Sequence, residues 1–459
     1  MDFTAAVARQ RAFFQTGATR AQAFRRDQLQ RLHDAVQQRE AVLTAALHTD
    51  LRKSPTEAYS TEIGLVLSEI RHALRHLSAW MGPHRGRIPL LAWPGRGWIQ
   101  PEPYGVALII GPWNYPLQLV LSPLVGAIAA GNGAVLKPSE LAPATAQAVT
   151  ELVRDTFPAE YITAIPGERE VAEALLREKF DTIFFTGSSA VGRVVMAAAA
   201  RHLTPVTLEL GGKSPCLVCA DAPLETTARR IAWGKFLNAG QTCVAPDFLL
   251  VDRRIRAPLV EALKRALDAF YGPDPRQSAD YSRIINSRHH GRLVGYLSNG
   301  TVERGGQHDV NDLYLAPTIL TQVSPDAPVM QEEIFGPILP VLEFDQMETA
   351  LGFLRDRPIP LALYLFTRDR QTEQTVLAST RSGGVCVNDT VTHMVGKHLP
   401  FGGLGESGMG AYHGKASFDC FTHRRSIMRR PFAVDLPMRY PPPKIKLQTL
   451  KRAFGFLAD

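Results

Sequence analysis

Residues 106–137 read VALIIGPWNYPLQLVLSPLVGAIAAGNGAVLK, and their pattern decides the fold. Residues 106–110 form an apolar run of strand length, and residues 117–130 carry apolar side chains around a whole helix. Gly131-Asn132-Gly133 closes that helix before a second strand at 134–137. The alternation continues with helix at 141–157, strand at 161–165, helix at 171–178, strand at 182–185 and helix from 186 to about 201. Roughly 100 residues of alternating strand and helix predict a doubly wound, mostly parallel α/β sheet, whose ligands gather at the carboxyl ends of the strands.

A second α/β unit follows Pro205. Strands are expected at 206–210, 215–218 and 248–251, with helices at 225–237 and 257–270, and further strands at 314–320, 338–344, 361–366 and 384–388. Upstream, residues 4–80 read as three helices broken near Gly17 and at Lys53-Ser54-Pro55. Prolines and glycines at 82–103 punctuate short pieces that suit a projecting hairpin. After His398 the chain is glycine-rich, and beyond Pro431 it reads as an irregular tail.

A chain of 459 residues with 45% hydrophobic content fills sizeable cores. It has no apolar run of about 18 residues and no signal-like apolar stretch at residues 1–14, so a cytoplasmic protein is expected. Five irregularly spaced cysteines do not make a disulfide framework. The net charge of +7 lies at one end: from Arg424 onward nine lysines and arginines face two aspartates, and the rest is neutral. This is a property of the tail and not the aromatic-interleaved basic face of a nucleic-acid binder. Within the tail, lysines interleave with Leu447, Leu450, Phe454, Phe456 and Leu457, which suits at most weak peripheral contact with an anionic membrane.

Several stretches carry chemistry. Cys243 lies in NAGQTCVAPD, residues 238–247, between an expected helix and an expected strand. Gly240, Thr242 and Val244 add little bulk around the thiol. Asn114, in GPWNYP at 111–116, can donate its side-chain amide to a developing oxyanion. Glu209, in ELGGKSP, ends an apolar strand and is followed by two glycines that leave space beside its carboxylate; a glutamate so placed must find partners or shift its pKa, as a general base does. GSSAVG, residues 187–192, opens a helix after a strand and suits either a phosphate or a purely structural turn. Lys137 and Glu140 in LKPSE suit ribose hydroxyls or a solvated loop. Cys216 and Cys219 form a CxxC on an expected strand, which points them to opposite faces and argues against a metal site. His289-His290 reads as surface.

In order along the chain, GPWNYP, LKPSE, FTGSSAVG, LELGGKSP, GQTCVAP, EEIFGP and LPFGGLGESGMG resemble the motifs of the NAD(P)-dependent aldehyde dehydrogenase superfamily, and the resemblance covers the whole chain. GQTCVAPDF, RIAWGKF and AYHGK look like its class 3 branch. The resemblance implies an α/β fold of two doubly wound domains, a modified Rossmann cofactor domain (residues 1–81 and 104–208) and a catalytic domain (209–398). Residues 82–103 and 399–431 would form an oligomerisation arm, and 432–459 the basic tail. It further implies Cys243 as nucleophile, Glu209 as base for the hydrolytic water, and Asn114 as oxyanion donor. Lys137 and Glu140 would hold the adenine ribose, Gly187, Ser188 and Gly192 the pyrophosphate turn, and Glu333 and Phe335 the nicotinamide end of NAD or NADP. Tyr115, Trp233 and Thr242 resemble walls of the aldehyde tunnel and suit medium-chain aliphatic or aromatic aldehydes. A homodimer is expected.

Overall fold

The computed structural model describes residues 3–89, 92–435, 440–442 and 446–456. The first α/β alternation builds a six-stranded sheet in the order Gly408–Met409, Val206–Glu209, Thr182–Thr186, Val106–Ile110, Gly133–Lys137, Ile162–Ala164. All its pairings are parallel except that of the two-residue edge strand Gly408–Met409. Every residue of Val106–Ile110, Gly133–Lys137 and Thr182–Thr186 is buried. That is why these strands read as unbroken apolar runs: helices cover both faces of a parallel sheet. From Val106–Ile110 the chain winds to one side, then returns to Thr182–Thr186 on the other. The crevice between the carboxyl ends of those two strands is the topological switch point, where open α/β sheets take their ligands.

The second unit is a seven-stranded sheet in the order Thr301–Arg304, Thr318–Thr321, Ile338–Phe344, Phe248–Asp252, Pro215–Val218, Ala362–Phe366, Gly384–Val387. Only the edge strand Thr301–Arg304 runs antiparallel. The two doubly wound sheets expected from sequence are therefore present. Cys216 joins the core on one side of this sheet and Cys219 packs on the other.

A third, antiparallel sheet joins His84–Gly86, Arg96–Pro103 and Thr422–Arg429. The first two are strands of the expected hairpin. The third, THRRSIMR, pairs with Arg96–Pro103 along its full length, yet is too polar and exposed to have announced itself as a strand.

The helix Gln118–Ala130 is buried at all thirteen positions and closes at Gly131 with φ +89°. A Cβ at Gly131 would lie 2.5 Å from the Arg25 guanidinium, which donates to the carbonyls of Thr19 and Ala129 at 2.8 and 3.0 Å. Glycine there serves both the left-handed cap and this close approach.

Two stretches differ from the sequence expectation. The N-terminal segment is divided into Phe3–Gln15, Gln22–Gln38, Glu40–Leu51, Pro55–Ala58 and Gly64–Met81, with a π-helical turn at Tyr59–Ile63. The break between the second and third falls at Arg39, with φ −101° and ψ 12°, where no proline or glycine signals it. The tail also contains a helix, Leu447–Phe456, after the proline run at 441–443, with Leu447, Leu450 and Phe454 exposed. Arg439, Lys444 and Leu457 lie outside the described residues. Among the described residues no helix is long and apolar enough to cross a membrane.

Candidate active site

Three segments of the site leave the carboxyl ends of adjacent strands of the first sheet. GPWNYP follows Val106–Ile110, GSSAVG follows Thr182–Thr186, and Glu209 ends Val206–Glu209. The second sheet supplies Cys243, in the loop before Phe248–Asp252, and Glu333 and Phe335, in the loop before Ile338–Phe344. Its strands' amino ends thus face the carboxyl ends of the first sheet. Asn114, Glu209, Cys243, Glu333 and Phe335 line one cleft of about 420 Å³, with Trp113 beside them.

The helix before the cysteine loop ends at Phe236, seven residues short of Cys243 rather than at it. Asn238 and Ala239 then adopt left-handed backbone (φ 51° and 50°), followed by Gly240 at φ +75°. A Cβ on Gly240 would stand 2.2 Å from the Gly336 carbonyl oxygen. The glycine therefore lets the cysteine loop cross the loop that carries Glu333 and Phe335.

The cleft is electrostatically unusual. Glu209 is 2% exposed and neither carboxyl oxygen has a hydrogen-bond partner among the described residues. Burial raises its pKa well above the usual carboxyl value. Glu333 is pushed up to about 8, by burial first and by Asp247 second, and its Oε1 is also unpartnered. The space next to Glu209 goes to this residue: a Cβ on Gly211 would lie 2.0 Å from Glu333 Oε2. Burial pushes the Cys243 thiol up to about 12, with further rises from Glu333 and Glu209. A charged Glu209 thus opposes thiolate formation at Cys243.

A buried polar network holds the two loops together. Lys53 Nζ, fully buried, donates to Glu62 Oε1 at 2.5 Å and to the Asn114 carbonyl at 3.0 Å, and stands 4.0 Å over the Tyr115 ring. Glu62 Oε2 accepts the backbone N–H groups of Leu117 and Gln118 at 2.9 and 3.2 Å, capping the central buried helix. Asn238 Nδ2 donates to the carbonyls of Asn114 and Gln241 at 2.8 and 3.2 Å. Asn114 Nδ2 itself donates to the Gln241 carbonyl at 3.1 Å. Glu57 accepts from the Asn238 N–H at 2.9 Å and from Ser282 Oγ at 3.1 Å. Sequence reasoning missed Lys53, Glu57 and Glu62. The available signal was three charged residues inside an otherwise core-forming helical segment.

On the cofactor side, Lys137 Nζ donates to Glu140 Oε2 at 2.9 Å, and Glu140 borders a separate depression with Pro143, Ala146 and Gly167. Ser188 caps the twelve-residue helix Ser189–Ala200 by accepting from the Val191 N–H. A Cβ on Gly187 would meet the Phe185 ring at 2.5 Å, and one on Gly192 would meet Leu210 at 2.7 Å. Both glycines thus give close packing room to neighbouring side chains, whatever lies at the helix start. Phe335, at φ 50°, meets Trp113 edge to face with centroids 5.2 Å apart. His289 lines the same cleft, 5.1 Å from Trp113, and His290 is 2% exposed with Nε2 donating to the Tyr314 carbonyl. His290 is thus buried by the helix Ser287–Tyr296, while His289 is half-buried at the cleft.

The expected tunnel residues separate. Tyr115 and Thr242 are buried and joined by a 2.6 Å hydrogen bond between their hydroxyls. Trp233 is 41% exposed on the helix Leu224–Phe236 and does not line the cleft with Cys243.

The sequence profile of the Aldehyde dehydrogenase family matches residues 1–427. Aldehyde dehydrogenase family 3 member A2 of Mus musculus is 46% identical over 95% of this chain and 90% of its own length. The dimeric, NADP-preferring aldehyde dehydrogenase of Mus musculus is 46% identical over 96% and 98%. The solved structure of Staphylococcus aureus AldH in a substrate-bound state superimposes with a TM-score of 0.97, at 44% identity, over 99% of this chain and 100% of that one. The chain belongs to the aldehyde dehydrogenase family, in its class 3 branch, and is an NAD(P)-dependent aldehyde dehydrogenase.

Proposed function

We propose that Cys243, Glu209 and Asn114 together oxidise medium- or long-chain aliphatic or aromatic aldehydes to carboxylic acids. One observation carries the reading: Glu209 shares a cleft with Cys243 and has both carboxyl oxygens unengaged among the described residues.

The Cys243 sulfur, once deprotonated, bonds to the aldehyde carbon, and the carbonyl oxygen becomes an alkoxide. Asn114 Nδ2 and the Cys243 backbone N–H donate to that oxygen, a contact worth roughly 3–4 kcal/mol. When bound, the oxidised cofactor supplies positive charge and accepts the hydride that leaves the adduct. The thioester on Cys243 is then cleaved by water whose proton passes to Glu209. The carbon–sulfur bond breaks, the acid departs, and Glu209 returns the proton to the sulfur. A carboxyl whose pKa burial has raised suits this role, because it binds the water's proton more firmly than an exposed one does.

The residues present fit a dinucleotide. Glu333 Oε1 is buried and unpartnered where a ribose hydroxyl would find an acceptor. Phe335 and Trp113 wall that end, Lys137 and Glu140 would hold the adenine ribose, and Gly187, Ser188 and Gly192 shape the helix start that receives the pyrophosphate. Glu140 disfavours a 2′-phosphate by charge, but Lys137 at 2.9 Å offsets it, so both cofactors are accepted and NAD is preferred.

In this reading residues 1–81 and 104–208 form the cofactor domain and 209–398 the catalytic domain, in a cytoplasmic homodimer whose arm is the three-stranded sheet. Tyr115 and Thr242 would wall the aldehyde path behind the Cys243 cleft, and Trp233, 41% exposed and outside that cleft, would meet substrate only at its outer end. The tail helix, with Leu447, Leu450 and Phe454 exposed beside Lys451 and Arg452, makes weak reversible contact with anionic membranes. Pelleting with anionic vesicles should fall on truncation after Pro431; identical pelleting rejects the contact.

Hexanal and benzaldehyde should give a higher kcat/KM than acetaldehyde with either cofactor, and steady-state kinetics in the reverse order would exclude the substrate assignment. In rapid-mixing experiments, Glu209→Gln should keep a burst of reduced cofactor while turnover falls about 10²–10⁴-fold. Loss of burst and turnover together would remove Glu209 from the hydrolytic step.

A further inference from the structure

A second cavity, of about 500 Å³, lies at the amino ends of Pro215–Val218, Phe248–Asp252 and Ala362–Phe366. The C-terminal ends of the helices Met347–Arg355 and Arg370–Ser379 and the segment 357–360 close it. It shares no lining residue with the Cys243 cleft. Its floor is apolar, built from Pro215, Phe248, Pro358, Pro360, Leu363 and Ala378. Its charged lining is entirely cationic: Lys213, Arg355, Arg357 and Arg381.

Two of these cations are already engaged. Lys213 pairs with Asp247 and donates to the carbonyls of Val329 and Glu332 at 2.8 Å. Arg357 donates to the Met330 and Pro325 carbonyls at 2.8 and 3.0 Å and lies 4.2 Å over the Phe353 ring. The other two are not balanced. Arg355 makes only a long 3.4 Å bond to the Leu351 carbonyl, and Arg381 has no hydrogen bond or ion pair among the described residues. Both are exposed at the mouth.

We propose that this cavity binds an amphipathic carboxylate, its anionic head between Arg355 and Arg381 and its apolar body on the floor. Guanidinium groups favour carboxylates through paired N–H donors, and a pocket of this size takes a medium-chain body. The site also has a route to the chemistry. Lys213 in its wall holds Asp247, which closes the cysteine loop and accepts the Ile334 N–H at 2.9 Å, next to Glu333.

The proposal does not depend on the aldehyde assignment, so its test can fail alone. Isothermal titration of the full-length enzyme with decanoate should show one more equivalent per subunit than the Arg355→Glu/Arg381→Glu double variant binds. That variant should keep wild-type kcat and KM for hexanal in the absence of decanoate. Ala378→Trp, which fills the cavity, should lose the same equivalent, and should it fail to fold the arginine pair decides. Decanol should bind there about tenfold more weakly than decanoate, a difference of about 1.4 kcal/mol. Identical decanoate isotherms for wild type and the arginine double variant would overturn the proposal.

Discussion

Much of the site depends on one buried charge. Lys53 has no access to water, and an unpaired ammonium in that position would be heavily penalised. It is tolerated because Glu62, the Asn114 carbonyl and the Tyr115 ring surround it. Each partner matters to the site. Glu62 fixes the start of the central helix, and Asn114 and Tyr115 belong to the loop that follows the first strand. A charge that needs all these partners at once permits few alternative loop conformations. Through Asn238 and Gln241 the same network reaches the loop that carries Cys243. Asn114 and Cys243 come from different sheets, and this network sets their spacing.

Three glutamates at the site show how satisfied and unsatisfied groups divide the work. Glu57 accepts from a backbone N–H and a serine hydroxyl and contributes to architecture. Glu333 has one unpartnered oxygen, and Glu209 has two. Such groups are costly to leave in a native structure, and those that persist mark places where something else binds or reacts. Burial also raises the Cys243 thiol, to about 12, with Glu333 and Glu209 adding to the rise. Bringing the carboxyls close to Cys243 therefore opposes ionisation of its thiol.

The sheets were legible because parallel strands buried on both faces leave apolar runs, and the turns between them carry glycine or proline. The site segments were legible for a related reason: Asn114, Gly187 and Glu209 sit at strand ends, where the alternation itself points. What sequence did not disclose depends on partners far away along the chain. Lys53 meets Asn114, and Glu57 meets Asn238, across separations that no local pattern encodes. His289 and His290 read as polar and hence as surface, but their helix buries His290 and leaves His289 half-buried at the cleft. The tail helix was obscured by the prolines before it. The glycines after Glu209 were correctly read as making space, but the space belongs to Glu333.

The most direct test of the claim that buried charge sets the site is Lys53→Met, alone and with Glu62→Gln, whose amide oxygen still accepts the Leu117 and Gln118 N–H groups. The single change leaves Glu62 charged and unpaired, and urea unfolding should show a loss of about 3–5 kcal/mol. The double change should recover much of that stability, while kcat stays depressed in both because the Asn114 carbonyl has lost its ammonium. A single variant with wild-type stability and kcat would contradict the account.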